Sequence, residues 1–241
     1  MTGHKSRRIA SRIPHYALRM MISIQCMLFD LDGTLIDTLG DLTGSLNLML
    51  SDLGRPPLSK ETIASIIGNG IPVTVYRCLT VTHPDHQPPG DEMHAEGIRL
   101  MHEHYADEML KTTVLYPNVS ETLERFKHKR KAVVTSKEAR FAHLMLDHFA
   151  IAQHFDAIVG GDTVPARKPD PWPVTEAIKL LGGSPAESVM IGDSENDVIA
   201  GRNAGTRTCA VSYGYRTAEQ LSVTSPDVVV DRFEQLEELF C

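Results

Sequence analysis

The chain has 241 residues, of which 42% are hydrophobic and 23% are charged. This composition is typical of a globular protein and excludes collagen, a coiled coil or low-complexity disorder for the whole chain. No run of about 18 apolar residues is present to span a membrane. The formal charge is −7, and all 31 acidic residues follow position 20. An acidic body argues against a nucleic-acid partner, because phosphate backbones attract basic surfaces.

Residues 1–20 form a basic leader with five basic and no acidic side chains. A basic start before an apolar run imitates a secretory signal, but Arg19 and Gln25 interrupt the run and no small-residue cleavage site follows. We expect a disordered extension, or a start assigned too early with Met20 or Met21 as the true start. An organelle transit peptide is the alternative.

The first half of the chain contains one predicted strand followed by helices. Residues 22–30 form an apolar run typical of a buried strand. Residues 41–53 carry leucines and a methionine at helical spacing, and a Gly-Arg-Pro-Pro sequence ends that helix. Residues 60–110 stay helical in period, and we find no strand signal between about 39 and 112.

From residue 116 onward, short apolar strands alternate with helices. The predicted strands are 131–135, 156–160, 188–192, 208–212 and 227–230, and the predicted helices are 118–129, 138–149, 171–182 and 196–204. This alternation predicts an α/β fold with a Rossmann-like parallel sheet that is covered on both faces. We expect a core domain of residues 21–38 and 113–241, with an inserted α-helical domain at 39–112.

Polar side chains follow the predicted strands where each strand ends. In parallel sheets, ligands bind outside the carboxyl ends of the strands. A lysine joins this edge from the connection that follows the third strand. The residues gathered there are Asp30, Asp32, Thr135, Ser136, Lys168 and Asp193.

This set of residues suits a metal ion and a phosphoryl group. Close carboxylates repel each other unless a cation bridges them or one is protonated, and oxygen ligands without His or Cys favour Mg²⁺. Lys168, the Thr135 hydroxyl and the backbone N–H groups of the turn at Gly33 supply positive charge and donors. No Ser-His, Cys-His or Walker A pattern is present. The nucleophile is therefore a carboxylate or a metal-bound water.

Four sequence motifs resemble those of the haloacid dehalogenase-like superfamily. Asp30-Leu31-Asp32-Gly33-Thr34-Leu35 resembles motif I, Val133-Val134-Thr135 motif II, Lys168-Pro169 motif III, and Gly192-Asp193-Ser194-Glu195-Asn196-Asp197 motif IV. Their order and spacing agree with the superfamily, and the resemblance covers about residues 22–240.

The resemblance implies specific roles for the motif residues. Asp30 is the nucleophile that becomes phosphorylated, and Asp32 is first the general acid and then the base that activates water. Mg²⁺ is held by the Asp30 carboxylate, the Asp32 backbone carbonyl and Asp193. Thr135 and Lys168 bind the phosphoryl oxygens.

The resemblance also implies a helical cap and further contacts to the substrate. Residues 39–112 match the position of the family's cap, which closes over the substrate and excludes water. Asp197 would support the waters of the metal or Lys168. The Gly68-Asn69-Gly70 sequence is either a helix break or a cap loop whose N–H groups bind a substrate carboxylate. The remaining predicted contacts to the phosphate or substrate are Gly33, Thr34, Ser136, Gly68, Asn69 and Gly70.

Within the superfamily, the residue two positions after the nucleophile separates the reactions. Dehalogenases have Tyr at that position and phosphonoacetaldehyde hydrolases have Ala, whereas this chain has Asp32, which fits phosphoryl transfer. The chain looks most like the phosphoglycolate phosphatases, and the matching segments are 30–38, Asn47, 67–70, 116–117 and 213–215. It departs from them at Ser136, where Asn is frequent, and at Asn118, where Gly is frequent.

We therefore expect a Mg²⁺-dependent phosphatase that acts on a small phosphorylated metabolite, with phosphoglycolate the leading substrate. Pyrophosphate, a nucleotide monophosphate or a sugar phosphate are the alternative substrates, and a sugar-phosphate mutase is an alternative reaction. The intact catalytic acids argue against a non-catalytic binding protein.

The four cysteines are scattered and form no C-x-x-C pair, so we expect reduced thiols, a cytoplasmic location and no disulfide. We expect a monomer or homodimer without a membrane partner.

Overall fold

The structure is a computed structural model that describes residues 24–240. The basic leader, the alternative start at Met20 or Met21, and Cys241 lie outside the described residues. The predictions made for the leader therefore stay predictions.

A six-stranded parallel sheet forms the centre of the molecule. The described residues contain the strands β1 (Cys26–Phe29), β2 (Ile36–Asp37), β3 (Val114–Leu115), β4 (Arg130–Val134), β5 (Ala157–Val159), β6 (Ser188–Gly192), β7 (Arg207–Val211) and β8 (Val228–Val230). The order in the sheet is β5-β4-β1-β6-β7-β8, and every neighbouring pair is parallel. This arrangement confirms the predicted α/β fold.

The sheet is buried on both faces because most positions in its strands are apolar. In β1, Met27 and Phe29 join the larger hydrophobic cluster, whereas Cys26 and Leu28 join a second cluster. Successive side chains of a strand point to opposite faces, so the two clusters lie on opposite sides of the sheet. This placement leaves the ends of the strands as the accessible part of the sheet.

Four helices form a helical insert between β2 and β3. They are α1 (Leu39–Asp52), α2 (Lys60–Ile66), α3 (Ile71–Val81) and α4 (Asp91–Glu108). Helix α4 packs against both α1 and α3. The strands β2 and β3 pair with each other in antiparallel fashion at the base of the insert. The hydrophobic pattern does not indicate this pair, because a strand of two residues has no periodicity.

The two ends of the helical insert are joined by the buried carboxylate of Asp41. Its Oδ1 accepts hydrogen bonds from the backbone N–H and hydroxyl of Thr112, at 2.9 and 2.6 Å. Its Oδ2 accepts from the same groups of Thr113, at 3.0 and 2.6 Å. Burial raises the pKa of Asp41, but these hydrogen bonds outweigh that effect and hold it below its ordinary value.

The remaining helices flank the sheet. They are α5 (Val119–Arg125), α6 (Ala139–His148), α7 (Trp172–Leu180), α8 (Glu195–Asn203), α9 (Ala218–Ser222) and α10 (Leu236–Phe240). Short 3₁₀ turns lie at Ala152–His154, Pro185–Glu187 and Phe233–Gln235. Within residues 24–240, no helix combines the length and apolarity needed to cross a bilayer. Cys26, Cys78 and Cys209 are buried and form no disulfide.

Candidate active site

The carboxyl ends of β1, β4 and β6 meet beside the helical insert. Asp30 follows β1 directly, and its backbone N–H donates to the carbonyl of Ile191 in β6 at 2.9 Å. Thr135 follows β4, and Asp193 follows β6. The structure thus brings together the residues that sequence reasoning placed at one sheet edge. Asp30, Asp32, Thr135, Ser136 and Asp193 line one cavity between the sheet and the insert, and Lys168 is buried against Asp30 behind it.

Lys168 lies at the centre of a buried charge cluster. Its ammonium donates to Asp197 Oδ1 at 2.5 Å and to the carbonyl of Val134 at 2.7 Å, and it lies 2.9 Å from Asp30 Oδ1. These three contacts use all the donors of the ammonium group. Burial lowers the pKa of Lys168, but the two carboxylates outweigh this effect and raise it above its ordinary value. The lysine is therefore a fixed positive charge.

Asp197 positions Lys168 and also begins helix α8. Its Oδ1 accepts from Lys168, and its Oδ2 accepts from the backbone N–H and the hydroxyl of Ser194, at 3.0 and 2.6 Å. Both oxygens therefore have protein partners. Asp197 therefore contacts Lys168, one of the two partners that the resemblance implies for it.

The acidic residues at this edge fit a divalent cation. Carboxylate oxygens of Asp30, Asp193 and Asp197 lie within 4.8 Å of one another. Burial raises the pKa of Asp193 well above its ordinary value, and the charges of Asp30 and Asp197 raise it further. Burial also raises the pKa of Asp30 to about 7 although Lys168 opposes the shift. A bound Mg²⁺ would offset this charge, and hard oxygen donors are the ligands that it prefers.

Two glycines allow Asp193 to reach this position. A Cβ atom on Gly33, whose φ is +85°, would lie 2.3 Å from Asp193 Oδ2. A Cβ atom on Gly214 would lie 2.4 Å from Asp193 Cβ. The backbone N–H of Tyr215 donates to Asp193 Oδ2 at 2.7 Å. Both glycines lie so close to Asp193 that a larger residue at either position would collide with it.

Asp32 is held through one carboxylate oxygen. Its Oδ1 accepts from the hydroxyl of Thr38 at 2.6 Å and lies 3.2 Å from the ammonium of Lys137. Thr38 is fixed in turn by Tyr215, whose hydroxyl accepts from the Thr38 backbone N–H at 2.9 Å. The second oxygen of Asp32 makes no hydrogen bond or ion pair with residues 24–240, so it is available to a bound molecule.

The predicted phosphate contacts are placed unevenly around the cavity. Thr135 and Ser136 line it, and Thr135 Oγ1 accepts from the backbone N–H of Lys137 at 3.1 Å. The hydroxyls of Ser136 and Thr34 are buried without a partner among the described residues. Gly33 and Thr34 are not among the residues that line the cavity. An unpartnered buried hydroxyl is costly, which favours Ser136 as a contact for a ligand.

The loop between α2 and α3 is split between two cavities. Gly68 and Gly70 line the cavity that contains Asp30, whereas Asn69 lines a neighbouring polar cavity. The predicted substrate contact of Asn69 is therefore not placed with the others. Arg216 lines both cavities and donates to the carbonyl of Ala64 at 2.6 Å.

Several residues at the site escape sequence reasoning. They are Tyr105, Lys137 and Arg216. Thr38 and Tyr215 lie in segments that the resemblance singled out, but it gave neither residue a role. Their contacts join positions that are far apart in sequence or lie on different elements, so no local pattern indicates them. Lys137 follows Thr135 and Ser136 at the end of a predicted strand, but the sequence does not indicate that its side chain is buried.

Comparisons with known proteins show which family the chain resembles in sequence and in fold. A family model described as haloacid dehalogenase-like hydrolase matches residues 27–211. The Pseudomonas aeruginosa protein named phosphoglycolate phosphatase 1 is 37% identical over 225 residues, which cover 92% of this chain and 81% of the relative. A Vibrio parahaemolyticus phosphoglycolate phosphatase is 34% identical, with coverage of 90% and 96%. A crystal structure of a predicted phosphoglycolate phosphatase from Haemophilus somnus superposes with a TM-score of 0.85 at 31% identity, covering 90% of this chain and 98% of that one.

Proposed function

The chain belongs to the haloacid dehalogenase-like hydrolase family and is a phosphatase, and on that premise we propose that it hydrolyses phosphoglycolate to glycolate and phosphate. Relatives that match most of the chain carry the name phosphoglycolate phosphatase. The observation that carries the proposal is the pairing of two different acids at one strand end. Asp30 is buried against Lys168, and Asp32 keeps one oxygen available in the same cavity.

Asp30 has the surroundings of a nucleophile. Its Oδ1 is held by Lys168 at 2.9 Å, which leaves the second oxygen to attack phosphorus. The attack forms an oxygen–phosphorus bond at Asp30 and breaks the bond between phosphorus and the ester oxygen, giving an aspartyl phosphate. Lys168 offsets the negative charge of the transferring group, and the Thr135 and Ser136 edge of the cavity supplies hydroxyl and backbone donors.

Asp32 has the surroundings of a general acid and base. Thr38 and Lys137 fix its Oδ1, so Oδ2 is the oxygen that gives a proton to the departing ester oxygen. The resulting carboxylate then takes a proton from water, whose oxygen attacks phosphorus. This second step releases phosphate and restores both acids. Water in the place of a sugar hydroxyl makes the reaction a hydrolysis and not a mutase reaction.

The Asp30 carboxylate, the Asp32 backbone carbonyl and the Asp193 carboxylate would hold Mg²⁺. When bound, Mg²⁺ supplies positive charge that stabilises the phosphoryl oxygens and keeps Asp30 ionised. Asp197 keeps Lys168 in place, as its two hydrogen-bonded oxygens support. The helical insert acts as the cap, because Leu42, Leu46, Met101 and Tyr105 of its helices line the same cavity and shield it from water.

The test compares phosphate release by the wild type and Asp30→Asn with Mg²⁺ present. We expect the wild type to hydrolyse both p-nitrophenyl phosphate and phosphoglycolate, with the higher kcat/KM for phosphoglycolate. Asp30→Asn should lose at least about 10³-fold in kcat on both, since no other carboxylate can form the aspartyl phosphate. Turnover that survives in Asp30→Asn would contradict the proposed mechanism. A wild type that prefers another phosphate ester in a substrate panel would contradict phosphoglycolate.

We further propose that the enzyme works in the cytoplasm. The buried free thiols of Cys26, Cys78 and Cys209 support this location, because reduced cysteines are usual in a reducing compartment. Fractionation of cells that produce the full chain tests it, and recovery of the protein in a membrane or secreted fraction would contradict it.

A further inference from the structure

A second buried lysine lies at the site, on the side of Asp32 that faces the helical insert. Lys137 follows the end of β4, lines the cavity and is 9% exposed. Its backbone is held on both sides of the Cα atom, because its N–H donates to Thr135 Oγ1 and its carbonyl accepts from the N–H of Gly161 at 2.8 Å. The side chain therefore starts from a rigid point next to the phosphoryl site.

The ammonium of Lys137 keeps one donor unused. It donates to the hydroxyl of Tyr105 at 2.6 Å, lies 4.6 Å from the centre of the Tyr105 ring, and lies 3.2 Å from Asp32 Oδ1. An ammonium has three donors, and no third partner is present among residues 24–240. Burial lowers the pKa of Lys137, but Asp32 and Tyr105 outweigh this and raise it above its ordinary value. The group is therefore a charged donor with a free position.

The order of residues along the cavity decides which part of the substrate meets Lys137. Asp30 and Lys168 take the phosphoryl group, and Asp32 gives its proton to the ester oxygen. The rest of the leaving group starts at that oxygen. Lys137 contacts Asp32 itself, so its free donor lies within a few bonds of the ester oxygen. In phosphoglycolate, one methylene group separates the ester oxygen from the carboxylate.

Two other charged side chains of the cavity wall, Arg216 and Glu138, already have protein partners. Arg216 donates to the carbonyls of Ala64 and Ile67 in the insert, at 2.6 and 3.3 Å, and lies 3.4 Å from Glu195. It therefore holds the insert to the core. Glu138, an acid that would repel a carboxylate, contacts His102 and Arg140. Arg216 uses three of its five N–H donors in these contacts. Among the described cavity residues, Lys137 is the cation that contacts Asp32 and so lies next to the ester oxygen.

We propose, on the basis of the phosphatase activity proposed above, that Lys137 binds the carboxylate of the leaving group and that Tyr105 of the insert is the positioning residue that holds it there. The substrate class is then the phosphate esters of small 2-hydroxy acids. A neutral leaving group of the same size leaves the buried ammonium without its third partner and is selected against. Because Tyr105 belongs to α4, recognition of the carboxylate also depends on contact between insert and core.

The experiment compares two substrates that differ at one end. Phosphoglycolate carries the carboxylate, and 2-hydroxyethyl phosphate carries a neutral hydroxymethyl group in its place. The ratio of their kcat/KM values measures recognition of the carboxylate alone. A change at Asp32 affects the two substrates equally and therefore cancels in the ratio. We expect the wild type to prefer phosphoglycolate and Lys137→Met to lower the ratio by about 30-fold, the loss typical of a hydrogen bond to a charged group.

Thr38→Val is the matched control variant. It removes the other hydrogen bond to Asp32 Oδ1 and leaves the cation in place. It should lower both kcat/KM values by a similar factor and leave their ratio within about twofold of the wild type. The variant Tyr105→Phe gives a second measurement of the same ratio, which remains informative if Lys137→Met does not fold. Loss of the hydroxyl should lower the ratio by about threefold, mainly through a higher KM for phosphoglycolate.

The outcomes separate this inference from the function on which it rests. A wild type without a preference for phosphoglycolate overturns both. A wild-type preference that survives in Lys137→Met and in Tyr105→Phe overturns the role of Lys137 alone. A ratio that falls in Arg216→Met and not in Lys137→Met assigns the carboxylate to Arg216 and also overturns it.

Discussion

The hydrogen bonds of Asp41 allow a quantitative test of how the helical insert is joined to the core. In Asp41→Asn, the amide keeps one oxygen, which still accepts from the N–H and hydroxyl of one threonine. The amide nitrogen replaces the other oxygen. The hydroxyl on that side can rotate to accept, but the backbone N–H cannot, so one buried donor is left without a partner.

The expected loss of stability follows from these bonds. An unsatisfied buried donor costs about 1–3 kcal/mol, and the remaining bonds lose the help of the charge. We expect Asp41→Asn to lower the free energy of unfolding by about 3 kcal/mol. The control Thr113→Val removes one hydroxyl bond of 2.6 Å at nearly constant shape and should cost about 1.5 kcal/mol. Equilibrium unfolding in urea, followed by circular dichroism, measures both.

The pH dependence tests the part of this loss that is due to charge. The pKa of folded Asp41 lies below its ordinary value of 3.8, so the ionised side chain stabilises the folded state at pH values above about 4. This contribution disappears as the pH falls through the folded pKa. The difference between wild type and Asp41→Asn should therefore be constant from about pH 8 to 5 and shrink below about pH 4. A loss under about 0.5 kcal/mol at neutral pH would refute the reasoning.

The remaining predictions concern the charge cluster and its glycines. Lys168→Met should abolish phosphate release and destabilise the protein by about 3–5 kcal/mol, because it leaves two buried carboxylates unpaired; an unchanged melting temperature would contradict this. Removal of divalent cations with EDTA should abolish activity, and added Mg²⁺ should raise the melting temperature of the wild type but not of Asp193→Asn; an equal rise in both would argue against the metal site. Gly214→Ala should reduce activity at least about tenfold, since its Cβ would lie 2.3 Å from the Gly33 carbonyl oxygen. The control Gly44→Ala, with nothing within 4 Å, should keep full activity.

The strand ends were predictable because they depend on local patterns. Apolar runs marked the strands, and parallel strands place their carboxyl ends at one edge, so Asp30, Thr135 and Asp193 could be grouped without coordinates. The departure at Asn118 is also explained locally. Its φ is +63°, a conformation that glycine adopts freely and that asparagine tolerates better than most residues.

The parts that escaped prediction depend on contacts between distant segments. The bond between Lys137 and Tyr105 joins positions that are 32 residues apart, and the bonds between Thr38 and Tyr215 join positions that are 177 apart. Hydrophobic periodicity describes neighbouring residues, so it cannot predict contacts over either distance in sequence. Asn69 shows a different limit, because its neighbours Gly68 and Gly70 line the cavity that contains Asp30, whereas Asn69 lines the adjacent one. The loop motif predicts where the segment lies but not which cavity each of its residues lines.

The junction at Asp41 also bears on how such a chain can change over evolutionary time. Asp41 and Thr113 are 72 positions apart and yet hydrogen-bonded, so the insert leaves the core and returns to it at one point. A segment with adjoining ends can be exchanged for a shorter or longer one without stretching the sheet. The acids that perform phosphoryl transfer lie outside the exchanged segment, whereas Tyr105 lies inside it. New substrate preferences can therefore arise by replacement of the insert while the reaction stays the same.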